Sequence, residues 1–152
     1  MNDHFTLYRR CLFVGVAIFV MIALVIAAVV IPPVKADTFP LATPERAVPA
    51  FWVSFVLHLL LATVLFFTAL RMTETSGGRT AVLVSLGVIA LVLSLPLADA
   101  ADAYQQHGPP LQTASTSLFV CMAGGFLNAV LLITMAFLLR RRARMLITSR
   151  PG

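Results

Sequence analysis

The sequence predicts an all-α integral membrane protein of four transmembrane helices, with both termini on the cytoplasmic side. Three observations lead there. Of the 152 residues, 60% are hydrophobic and only 11% charged, whereas soluble domains have roughly 45 to 50% apolar and about 25% charged residues. The apolar residues fall in four uninterrupted runs, each long enough to cross a hydrocarbon core of roughly 30 Å at about 1.5 Å per helical residue. Lysine and arginine gather at alternate ends of those runs. A chain with a mean hydropathy of +0.97 leaves apolar side chains outside as well as inside, which lipid tolerates and water does not.

The first span is read as Cys11 to Ile31, with no charged residue. A cleaved signal peptide is the competing reading, because Arg9 and Arg10 make a short basic lead and Val34, Lys35 and Ala36 loosely resemble a cleavage site. The run is too long for that, since a signal core is about 7 to 15 residues. The second span, Pro49 to Leu70, opens on a proline, which a first helical turn accepts, and has His58 as its only ionisable group. The third runs from Thr80 to Ala98, with Pro96 near its end. The fourth runs from Ser117 to Leu139, with Thr116 and Ser117 as N-caps and Arg140 as its stop. Barrel strands would be about ten residues long with alternating polarity, and these runs do not alternate. Between the spans, Pro32, Pro33, Pro40, Pro44 and Pro49, then Gly77 and Gly78, then Gly108, Pro109 and Pro110 predict loops. No polar stretch between runs is long enough for a soluble module, so residues 1 to 152 are expected to form one four-helix domain.

Orientation follows from the basic residues. With the N-terminus inside, Arg9, Arg10, Arg71, Arg79, Arg140, Arg141, Arg142, Arg144 and Arg150 are inside, against Lys35 and Arg46 outside. That bias satisfies the positive-inside rule. Asp37, Glu45, Asp99 and Asp102 fall outside, and Asp3 and Glu74 inside. The net charge of +5 therefore reads as a topology signal and not as a nucleic-acid footprint. The expected location is a bacterial inner (plasma) membrane. Pro40 to Thr43 and Pro110 to Thr113 precede spans two and four in similar register, a faint sign of duplicated helical hairpins that apolar composition also produces by chance.

Polar groups in hydrocarbon need a partner or a purpose. His58 lies about 13 Å from the outer end of span two and Asn128 about 17 Å from the outer end of span four, by helical rise. Their depths match, so they could bond each other if those spans touch. The plain reading is that each satisfies the other or a backbone carbonyl and helps to hold the bundle. The sharper one makes His58 an axial ligand to a haem or chlorophyll-type pigment, since neutral imidazole is the usual donor to such metals; His4 and His107 lie in polar segments, so a second ligand would come from elsewhere. Small residues mark helix packing: Cys121, Gly125 and Ala129 on span four, with Gly124 and Asn128 beside them. Ser54, His58 and Ala62 on span two, and Gly87, Ala90 and Ser94 on span three, make similar faces. Cys121 reads as a small buried hydrophobe. Neither cysteine belongs to a metal-binding or redox motif, and the topology sets Cys11 and Cys121 near opposite membrane faces, too far apart for a disulfide. Asp99, Asp102 and His107 in the outer loop could hold a cation, or simply enforce topology. Arg140, Arg141, Arg142 and Arg144 form a lipid and topology anchor.

No catalytic motif is present, and no span carries an acidic or basic side chain apart from His58. The expected role is a non-catalytic membrane subunit or scaffold that packs against membrane lipid and partner subunits, within a respiratory, photosynthetic or transport assembly. The alternatives are an electron-transfer subunit binding a cofactor through His58, and a small-solute channel or transporter formed by oligomerisation.

Overall fold

The computed structural model describes residues 3–36, 44–71, 77–106 and 109–148, and their regular structure is helical throughout. Helix α1 (Asp3–Val25) continues through a π turn (Ile26–Val30) into α2 (Ile31–Ala36), followed by α3 (Pro44–Leu70), α4 (Gly77–Gln105) and α5 (Pro109–Thr148). Four segments are long and apolar enough to span a membrane: Thr6–Lys35, Ala47–Leu70, Gly78–Gln105 and Leu111–Met145.

Each helix outruns the apolar stretch that announced it. An apolar run ends at the first charged or polar residue, whereas a helix continues until something breaks it. The flanking Ala, Arg, Leu and Gln residues are good helix formers. Pro44 and Pro109 occupy first helical positions, where a proline's missing N–H costs nothing. Gly77 and Gly78 open α4 instead of forming a loop, Thr116 and Ser117 lie inside α5 and cap nothing, and Asp99 to Gln105 belong to α4. His107 lies outside the described residues. The continuation past Ile31 has its own device. Pro32 and Pro33 supply no N–H to the carbonyls four residues back, and just before them the backbone widens so that the Ile31 N–H bonds the Ile26 carbonyl, five residues back.

The helices form two tightly packed pairs. α4 lies along α5, α1 lies along α3, and α1 also packs on α5; α3 and α4 barely meet, and among the described residues neither α3 and α5 nor α1 and α4 come together. In lipid no hydrophobic drive separates helix from tail, so close backbone approach and dispersion must hold such pairs. The α4/α5 seam shows this. A Cβ at Gly87 would lie 2.8 Å from Ile133 Cγ1 and 3.2 Å from the Ala129 carbonyl oxygen, and one at Gly125 would run into Ser94 Oγ. Farther out, Ser115 Oγ donates to the Ala101 carbonyl at 2.7 Å and ties the same two helices again.

The buried side chains fall into two apolar clusters stacked along the bundle. One, toward the arginine-bearing ends, includes Leu12, Phe19, Leu65, Leu83, Leu132 and Leu139; the other, toward the opposite end, includes Ile26, Val34, Phe51, Leu97, Leu118 and Cys121.

The α4/α5 seam generates a graded expectation. Gly125→Ala should lower thermal stability in detergent, because its methyl meets Ser94 on a packed backbone. Gly124→Ala should be tolerated, with nearest atoms 3.6 Å away, as should Gly78→Ala, which has nothing within 4 Å. Equal melting temperatures for all three variants would contradict this packing.

Candidate functional site

The two apolar clusters are separated by a thin polar layer. On α3, His58 falls between Phe51 and Leu61; on α4, Ser94 falls between Ala90 and Leu97; on α5, Gly125 and Asn128 fall between Cys121 and Ala129. All three polar side chains are buried, Asn128 completely.

Ser94 Oγ donates to the Ala90 carbonyl of its own helix at 2.8 Å, so its hydroxyl is satisfied locally while it presses on Gly125. His58 is also satisfied locally. Its Nδ1 lies 2.7 Å from the Ser54 carbonyl, one turn back, and 3.4 Å from Ser54 Oγ. A carbonyl only accepts, so Nδ1 carries the hydrogen and Nε2 is the ring's acceptor nitrogen. The ring meets Phe19 of α1 edge to face, with centroids 6.1 Å apart.

Asn128 alone reaches across. Its Nδ2 donates to the Gly15 carbonyl of α1 at 2.9 Å. Gly15 is where three helices converge: a Cβ there would lie 2.8 Å from Asn128 Oδ1 and 3.0 Å from Leu65 Cδ2 of α3. Any side chain at Gly15 would push α3 or α5 away. Asn128 Oδ1 is buried and has no hydrogen-bond partner, and the amide is not reversed, since its oxygen would then face another acceptor. The pairing of His58 with Asn128 that their matched depths suggested does not occur. α1 stands between their helices, and each residue bonds a backbone carbonyl instead.

Magnitudes decide what Asn128 does. An interhelical bond in a membrane contributes about 0.6 to 2 kcal/mol, and an unmet buried acceptor costs about 1 to 3 kcal/mol. The two roughly cancel, so this side chain contributes register more than stability. A bond only at one relative height of α1 and α5 disfavours every other height.

The remaining singled-out residues are placed as follows. Gly124 packs loosely against Ile18 and Ile22 of α1, with distances of 3.6 to 3.7 Å from a built Cβ. Cys121 is buried in the cluster away from the arginine-bearing ends, and both cysteines are free thiols. Ala129 contributes the carbonyl that Gly87 approaches. Asp99 and Asp102 are exposed on α4, and among the described residues no group of three or more His, Cys, Asp or Glu is placed to hold a metal. The four arginines divide. Arg142 turns toward α1, its guanidinium 5.8 Å from the Tyr8 ring centroid, while Arg140, Arg141 and Arg144 share an exposed face with Phe137 and Met145.

Two features escaped sequence reasoning. Gly15 was legible in principle, as a lone glycine inside an apolar run. The other is a lateral cleft of about 510 Å³ between the halves of α3 and α4 away from the arginine-bearing ends, whose walls include Ala47, Ala50 and Leu57 on one side and Pro96, Ala100 and Ala103 on the other. Ser54 lines it, but His58 behind it does not. No family model, curated protein or solved structure matches this chain.

His58 is thus wedged against Phe19 with its hydrogen committed to its own helix, which is a structural arrangement. Both His58→Gln and His58→Leu should shift the unfolding free energy in detergent by about 1 kcal/mol or less and leave the absorption spectrum of gently purified protein unchanged. A visible band present in the native protein and lost in both variants would make His58 a chromophore ligand instead.

Proposed function

We propose that the chain is a non-catalytic subunit or scaffold of a larger membrane assembly, inserted as four spans in a bacterial inner membrane with both termini cytoplasmic. The orientation is supported by the nine arginines assigned inside against Lys35 and Arg46 outside. The scaffold role is carried by one observation: α3 packs closely on the first span, that is on α1, the π turn and α2, while its consecutive neighbour α4 largely stands off and leaves the cleft open.

A transmembrane helix of a partner protein is the occupant this surface suits. Ala47, Ala50, Ala100 and Ala103 keep both walls of the cleft low, which is the side-chain size that lets another backbone approach in a membrane. The cleft is continuous with the outward face of α3 through Val53 and Leu57, which line it while remaining exposed, and that face goes on through Val56, Leu60, Val64 and Phe67. A helix seated there would cover the least buried of the four spans. Equipment for chemistry is sparse by comparison, because His58, Ser94 and Asn128 of the mid-bundle layer each already donate to a backbone carbonyl.

The experiment is native mass measurement on protein extracted gently from its own membrane, with the topology checked in the same strain. A mass that is not a multiple of 16.4 kDa is expected, and Ala50→Phe with Ala103→Phe should release the partner by filling the cleft. A cytoplasm-dependent reporter should work after Gly152 and fail near Gln105. Only multiples of the chain mass would contradict the scaffold reading, and an active reporter at Gln105 would contradict the orientation.

A further inference from the structure

We propose that the partner helix seated in the cleft carries a hydrogen-bond donor side chain, a hydroxyl, an amide or an indole N–H, that bonds the Val92 carbonyl of α4. The inference rests on the partner-helix reading above and names the chemistry by which that partner is recognised. Its origin is a proline in the interior of a span.

Pro96 lies inside α4 and lines the cleft. A proline has no N–H, so the carbonyl four residues back, that of Val92, loses its helical donor, and the pyrrolidine ring lies against that same carbonyl. The next N–H along, that of Leu97, belongs to Leu93 in an α-helix. The hydroxyl nearest in sequence on α4 is also taken, since Ser94 Oγ donates to the Ala90 carbonyl at 2.8 Å. Val92 stands at the middle of the Gly78–Gln105 span, about 20 Å from either end by helical rise, so interfacial water is remote. Val92 and Pro96 are both exposed, and the bundle's own helices do not cover this strip. A backbone acceptor bared by proline inside a membrane is met by a neighbouring helix, a Ser or Thr side chain or an ordered water. Acyl chains carry no donor, so lipid filling the cleft would leave the carbonyl unmet, whereas a helix with one donor at this height meets it. From the opposite wall Ser54 of α3 presents a hydroxyl oxygen to the same cleft, which can accept as well. Low alanine walls with an oxygen on each side select a helix bearing a donor over a lipid tail.

The test is a double-mutant cycle on the complex extracted gently from its own membrane, read by native mass as the fraction of chain that keeps its partner as detergent is raised. Pro96→Ala returns an N–H to Val92 and keeps the wall low. It should weaken retention of the partner about fivefold, while the melting temperature of the isolated chain stays equal or rises, because an interior proline costs a helix stability. A merely structural role for Pro96 would not give a weaker complex with an undiminished fold. Photoreactive benzoylphenylalanine in place of Leu57, which lines the cleft, then marks the partner residue seated there, located by fragmenting the cross-linked species. A Ser, Thr, Asn, Gln or Trp should lie within about one helical turn of it. Replacing that residue by Leu should also cost about fivefold, and combining it with Pro96→Ala should cost no more than either change alone. Retention unchanged by Pro96→Ala, a cross-linked segment without a donor, or losses that simply add would each overturn the inference and leave the partner helix standing. Only multiples of 16.4 kDa in the wild type would overturn the scaffold reading and this inference with it.

Discussion

The bond from Asn128 to the Gly15 carbonyl is the constraint on which the arrangement of the helices turns. The fold consists of two pairs, α1 with α3 and α4 with α5, and the pairs meet mainly where α1 crosses α5. Apolar contact between those helices is not selective in lipid, because a leucine packs about as well on an acyl chain as on another leucine. A buried amide is selective. It finds its acceptor at one height only, and Gly15 is the one place on α1 where the absence of a side chain lets Asn128 and Leu65 approach from opposite flanks. The same crossing explains why His58 and Asn128, at matched depths, never meet.

From that crossing the rest of the bundle follows. With α1 and α5 fixed, α4 is held against α5 by small residues, Gly87 and Ser94 facing Ala129 and Gly125, and by the Ser115 hydroxyl toward the end away from the arginines. α3 is held against α1 by larger side chains, among them the edge-to-face contact of Phe13 with Phe66 at 5.8 Å and that of Phe19 with His58. α3 meets α4 more sparsely, through the tilted ring contact of Phe51 with Tyr104 at 6.3 Å. Beside that contact the halves of α3 and α4 away from the arginine-bearing ends leave a cleft, with Ala47, Ala50, Ala100 and Ala103 among its lining residues, and it is there that a partner helix is proposed.

The four helices long and apolar enough to span a membrane were legible in the sequence, because each rests on an uninterrupted apolar run that composition reveals. Helix ends were not, since Asp99 to Gln105 and Arg140 to Arg144 carry charged side chains yet are helical, and charge marks the end of an apolar run, not the end of a helix. Prolines misled for a related reason: Pro44 and Pro109 start helices, and Pro32 and Pro33 follow a π turn that no local pattern announced. The sequence singled out His58 and Asn128 as the polar groups to watch, but not their partners. Partners depend on which helix lies between which, and depth along an axis carries no information about neighbours around it. The cleft was illegible for the same reason, as Ala50 and Ala103 look like packing residues until the helices that bear them are seen to stand apart.

If Asn128 sets register and adds little net stability, its loss should loosen the choice of height between α1 and α5 without unfolding the protein. Disulfide formation reads this directly, in a background carrying Cys11→Ser and Cys121→Ala. Position 124 is paired either with 18, its neighbour in the structure at 3.7 Å from a built Cβ, or with 14, one helical turn off register. With Asn128 present, Ile18→Cys/Gly124→Cys should cross-link far more readily than Val14→Cys/Gly124→Cys. With Asn128→Leu the two pairs should approach equal yields while the helices remain folded. An unchanged preference for position 18 in the leucine variant would contradict the account, because apolar packing alone would then be setting the register.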